Sequence, residues 1–202
     1  MEKESPIFER IYRNYLKEVS ALSIADRAEP LGIRVEGDRA AIPFFQRNFT
    51  VSPAGIADEA GRKPSHSICV ILCKYLILCP ERPTPDGNVV TYKDFRDAGP
   101  YAGGFHNTAQ RPIAEAFAGK RAALERRAET LGGIRWEIDA NCDLALAFPA
   151  LPRVPVFLIF NDADEDFPAE CSLFFRRDAE QYLDMECVAM TGMLLAEWLR
   201  GD

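Results

Sequence analysis

Long apolar runs are missing from this sequence. The two longest apolar stretches, at residues 69–79 and 154–160, fall short of the ~20 residues that a bilayer-spanning helix needs. The opening MEKESPIFERIYR carries charge and lacks the apolar block of a secretory signal. Both absences argue against membrane insertion and export, so a cytoplasmic protein is expected. Clustered basic charge is scarce as well. The formal charge is −7, and the basic group Lys120, Arg121, Arg126, Arg127 and Arg135 is interleaved with Glu125 and Glu129, as on a solvated helix face. That argues against an extended nucleic-acid surface, which draws on clustered Lys and Arg. There is no paired C-x2-C knuckle, no glycine pattern of a dinucleotide or phosphate loop, no internal repeat and no low-complexity tract. Six irregularly spaced cysteines indicate reduced thiols rather than a disulfide framework.

What is present is a core. The 202 residues, 48% hydrophobic, suffice to bury roughly 70% of the unfolded surface in one domain or in two closely packed lobes, 1–80 and 81–202. Pro6 after Ser5 marks a helix start, and Ile7, Phe8, Ile11, Tyr15, Leu16 and Val19 recur at helical spacing. A second short helix should end near Gly32. A small meander is expected over 33–36, 40–45 and 49–51, with turns at 37–38 and 46–48. The Gly-, Pro- and Ala-rich stretch 52–64 reads as a loop. Helices are expected over 65–79, 112–118 and 121–131, strands over 134–138, 144–148, 154–160 and 171–175, and a final helix over 185–200. VPVFLIF is apolar at every position, which predicts a central strand covered on both faces. Asp178 begins a DAEQ segment with the form of a helix cap, Gln181 reaching back. Helices and strands are segregated rather than alternating, so the fold class is α+β with a mainly antiparallel sheet.

The segment SHSICVILCKYLILCP places His66 ahead of Cys69, Cys73 and Cys79. At ~100° per residue His66, Cys69 and Cys73 share a ~60° arc, while Cys79 points almost oppositely. The helix is apolar nearly all round, and cysteine packs like a small hydrophobe, so a buried core helix without metal is the favoured reading over a metal site or redox pair.

Two connections carry the remaining chemistry. AGPYAGGFHNT offers Tyr101, Phe105 and His106 among glycines; its plain reading is a Gly-rich connection whose aromatics plug the core. NDADEDFPAE presents Asp162, Asp164, Glu165 and Asp166, and alternate carboxylates can chelate a hard cation. Phe167 and Leu173 stand where a calcium loop of the EF-hand type needs Gly and Glu, so a solvated hairpin connection is the favoured reading.

The segment LPRVPVFLIFNDADEDFPAECSLFFRRDAEQYL, with CKYLILC, TYKDF and YAGGF upstream, resembles the family called domain of unknown function 3786, found largely in anaerobic bacteria and archaea. The resemblance covers nearly the whole chain and is most specific over 151–183. In that pattern an acidic residue closely follows the position of Phe175; here Arg176 and Arg177 precede Asp178. Some relatives carry an added iron–sulfur segment or lie near corrinoid and one-carbon enzymes, and this chain has no such cysteine-rich segment. The resemblance implies no activity, and no cofactor is identified.

Two functional readings result. In the first, the protein is a non-catalytic accessory domain of anaerobic metabolism, holding a small molecule or protein partner through Tyr101, Phe105, His106, Asp162, Asp164 and Asp166. In the second, it is a metal-assisted hydrolase or transferase in which the aspartates hold a cation and His106 moves protons, which requires the two connections to share a pocket.

Overall fold

The structure, a computed structural model, describes residues 6–201. The expected cap at Ser5 lies outside them. Helix α1 (Pro6–Ser20) starts on Pro6, whose missing N–H costs nothing in a first turn, and buries Tyr12 and Val19. A 3-10 turn leads into α2 (Ala28–Leu31), which ends on Gly32 in the left-handed region (φ 66°).

A four-stranded antiparallel meander follows: β1 (Arg34–Glu36), β2 (Arg39–Phe44), β3 (Arg47–Ser52) and β4 (Gly55–Asp58), in that spatial order. The fourth strand occupies the stretch expected to be a loop. Its glycine-rich composition hides the pairing of Val51 with Ile56, whose amide donates to Tyr12 Oη (2.9 Å). Between β2 and β3 the turn residues Phe45 and Gln46 both have positive φ (47° and 68°) without being glycine. Phe45 is fully buried against Phe44, Phe148 and Trp198, and that packing holds the strained turn.

After α3 (His66–Ile77), the second sheet is antiparallel throughout, in the order β5 (Val89–Thr91), β9 (Glu170–Arg176), β8 (Val154–Asn161), β7 (Leu144–Leu151), β6 (Ile134–Arg135). The architecture is therefore α+β, as the sequence indicates. Strand β8 is central but is sealed on one face only. Val154, Val156, Leu158 and Phe160 are buried, whereas Pro155, Phe157 and Ile159 remain half-buried, and Trp136 lies against Phe157 at 4.7 Å. The uniform apolarity reflects an aromatic outer face rather than a second helical layer.

The region 99–117, expected as a glycine-rich connection and then a helix, is helical throughout. Helix α4 (Gly99–Phe105) runs through a π-helical turn (His106–Gln110) into α5 (Arg111–Phe117). Pro112 explains the wide turn: it lacks an N–H and its ring crowds the carbonyl one turn earlier, and the shift to i→i+5 bonding, with Arg111 N–H donating to His106 O, relieves that crowding. Asn107 Nδ2 and Thr108 Oγ1 donate to the Gly103 and Gly104 carbonyls (3.1 and 2.8 Å).

Helix α6 (Arg121–Glu129) precedes β6, and α7 (Met185–Arg200) packs against α3, α4, the π turn, α5 and α6. Asp184 caps its start by accepting from Cys187 N (2.9 Å), and the Arg127 guanidinium closes its end by donating to the Trp198 and Leu199 carbonyls. Asp178 is not a cap. It is buried, takes a bidentate pair from Arg176 and accepts from Asp86 N (3.2 Å), while Gln181 exchanges two bonds with the Thr84 backbone. Among the described residues no helix is long and apolar enough to cross a membrane.

Candidate functional site

Where β5 ends, the chain turns through a 3-10 segment (Tyr92–Asp94) while β9 runs on beside it. Asp94 fixes this turn: its Oδ2 accepts from Thr91 N (2.9 Å) and Thr91 Oγ1 (2.6 Å). The Thr91 bonds hold the Asp94 carboxyl below its ordinary range. Tyr92 points inward, donates from Oη to Met185 O (2.7 Å) and stacks on Phe105 at 4.4 Å; burial pushes its hydroxyl up to about 12. Phe105 in turn meets Phe175 and lies against Gly192 of α7, where a Cβ would come within 2.5 Å of its ring.

Above this aromatic floor lies a cleft of about 300 Å³. Its polar rim is Thr91 from the end of β5, Lys93 from the 3-10 turn, His106 and Gln110 from the π turn, and Ser172 from β9. Gln110 Nε2 donates to Cys171 O (3.3 Å) and so ties the π turn to β9. The wide turn carries both His106 and Gln110 to the rim of one cleft, and π turns are frequent at functional sites. Among the described residues His106 and Ser172 make no hydrogen bond with each other, and no carboxylate orients the imidazole. The thiol of neighbouring Cys171 is buried and its pKa is raised by desolvation, which makes it inert.

Phe105 and His106 thus share one cleft, Phe105 as floor and His106 as rim. Tyr101 is 41% exposed and does not line it. The acidic connection lines a separate cavity of about 580 Å³ containing Asp143, Asp162, Asp164, Phe167 and Glu170, but not Asp166. Its carboxylates are engaged locally. Asp162 Oδ1 accepts from Gly119 N (2.5 Å), the Asp162 amide donates to Asp143 Oδ2 (2.7 Å), and Asp164 Oδ1 accepts from Asp166 N and Phe167 N. Among the described residues, no group of three or more His, Cys, Asp or Glu is placed to hold a metal ion.

On α3, Cys69 and Cys73 are fully buried, and burial pushes the Cys73 thiol up to about 12. His66 stacks on Phe8 at 4.4 Å. Of the arc predicted from spacing, Cys69 and Cys73 face the core, while His66 is half-buried beside the exposed Phe8.

Lys93, Gln110 and Ser172 escaped the sequence reading. The signal for Lys93 was available: Thr91 and Asp94 have the spacing of a capping box, which leaves the intervening lysine on an exposed turn. Gln110 and Ser172 join the rim only through the π turn and the strand pairing, neither of which leaves a local pattern. Comparison with curated proteins and with solved structures found no match to this chain. A family model, Domain of unknown function (DUF3786), matches residues 23–198, most of the chain, and the protein belongs to that family.

Proposed function

We propose that this protein is a non-catalytic binding module of anaerobic cytoplasmic metabolism whose ligand sits in the cleft between the 3-10 turn and the π turn. One observation carries the reading: a polar rim of Lys93, His106, Gln110 and Ser172 stands over a floor of packed aromatics, without a nucleophile joined to a base. Binding needs donors and a fixed floor. Acid–base or nucleophilic catalysis needs a hydrogen-bonded chain of groups as well. The anaerobic setting rests on the family resemblance alone.

The test is a thermal-shift screen of central metabolites on the wild type and on Lys93→Ala and His106→Ala. Both side chains are exposed, so the variants should melt like the parent. At least one metabolite should stabilise the wild type and lose its effect in both variants. Metabolites whose effect survives both substitutions, or turnover of a bound metabolite, would refute the proposal.

A further inference from the structure

From the chemistry of its rim, and resting on the binding-module reading, we infer that the cleft takes a small organic anion, with a carboxylate or phosphate at Lys93 and His106 and an apolar body over Tyr92 and Phe105.

The chain is acidic, with 31 Asp and Glu against 24 Lys and Arg. Its surface field therefore repels anions in general, and any anion site needs a local exception. This cleft is one. Among the described residues no acidic one lines it, whereas the cavity beside the β8–β9 connection is lined by four, Asp143, Asp162, Asp164 and Glu170. Asp94 belongs to the same turn as Lys93 but has one oxygen committed to two donors of Thr91. Lys93 supplies a point charge, and the His106 imidazole can donate beside it. Gln110 is held by Cys171 O and so keeps the rim in place.

The floor sets the second half of the ligand. Tyr92, Phe105 and Leu173 are almost wholly buried, so the cleft offers them only at its base. A cavity of about 300 Å³ is at the small end of ligand sites and admits a ligand of one ring or a short chain. An inorganic ion would leave that base unfilled.

Benzoate and phenyl phosphate test the inference, with benzamide as the neutral match and inorganic phosphate as the anion without a body. Each is titrated against the full chain while backbone amide spectra are recorded. Benzoate or phenyl phosphate should shift the Lys93, His106 and Ser172 amides, and the tighter of the two identifies the anionic group. Benzamide and inorganic phosphate should bind at least about tenfold more weakly, as should the tighter probe to Lys93→Met, as expected when one charge-assisted contact is lost. Equal binding of benzamide would overturn the anion while leaving the binding module standing. Equal binding of inorganic phosphate would overturn the apolar body. Absence of cleft shifts with all four probes would overturn the inference, and the metabolite screen then decides the module independently.

Discussion

Burial has silenced the cysteines of α3. Cys69, Cys73, Cys171 and Cys187 are buried, and desolvation raises the thiol pKa of the last three, so little thiolate forms at neutral pH. Alkylation of the native protein with iodoacetamide at pH 8, followed by peptide mapping, should label Cys79 and Cys142, which are only partly covered. Labelling of Cys69 or Cys73 as fast as Cys142 would contradict the core assignment. Replacing Cys69 by Ser should cost about 1–3 kcal/mol in urea unfolding, because a more polar group enters the core while Pro64 O, which accepts from Cys69 Sγ at 3.6 Å, is placed for the larger sulfur. The Asp178–Arg176 pair behaves differently. The carboxylate is buried but the guanidinium is 32% exposed, so Asp178→Asn leaves a cation that water can still reach. A loss of about 1–3 kcal/mol is expected, below that for a fully buried pair, together with faster amide exchange at Thr84 and Asp86, which Gln181 and Asp178 hold.

Among the elements, α7 is the most demanding. Burial disfavours the charged form of its cap Asp184, but the Cys187 amide and Lys74 outweigh it and keep the carboxyl below its ordinary value. A depressed folded pKa adds stability above the unfolded value, about 3.9, which is lost as pH falls through the folded one. Acid melts should therefore fall less steeply below pH ~4 for Asp184→Asn than for the wild type. An unchanged slope would show that the cap contributes nothing through its charge. Gly192 in the middle of the same helix inverts a common rule. Alanine there should gain up to about 1 kcal/mol in helix propensity, yet its Cβ would strike the Phe105 ring and pass close to Leu173. Overpacking costs about 1–3 kcal/mol, so Gly192→Ala should be net destabilising, and it should also disturb the cleft whose floor Phe105 forms. Such couplings mark the limit of sequence reading. Helix α3 was legible because it is apolar all round, and the β7–β9 strands because their apolar runs are bounded by turns. Helix α4 was not, because Gly99, Gly103 and Gly104 argue locally against a helix that the burial of Phe105 secures from elsewhere. His106 stands on a π turn rather than in the glycine-rich connection expected of it, since that turn depends on Pro112 and on side chains bonding to carbonyls one turn away.

For the whole molecule, one continuous cluster of buried side chains runs from Tyr12 in the first helix through both sheets to Leu199 in the last. The acidic connection lies outside this cluster, with Phe167 69% exposed and its carboxylates turned to nearby amides. Millimolar magnesium, calcium or manganese should accordingly raise the melting temperature by less than about 2 °C, whereas binding at a hundredfold excess over Kd would add about 2.7 kcal/mol and a larger shift. A clear rise abolished by Asp164→Asn, and not matched by ionic strength alone, would restore the metal-assisted reading. The central position of α7 also has a consequence in time. Of the elements described, the ribosome makes it last, yet α3, α4, α5 and α6 all lean on it. Until it emerges, the nascent chain must hold several apolar helix faces without their common partner, so the core closes late in synthesis and the waiting chain is a natural client for chaperones.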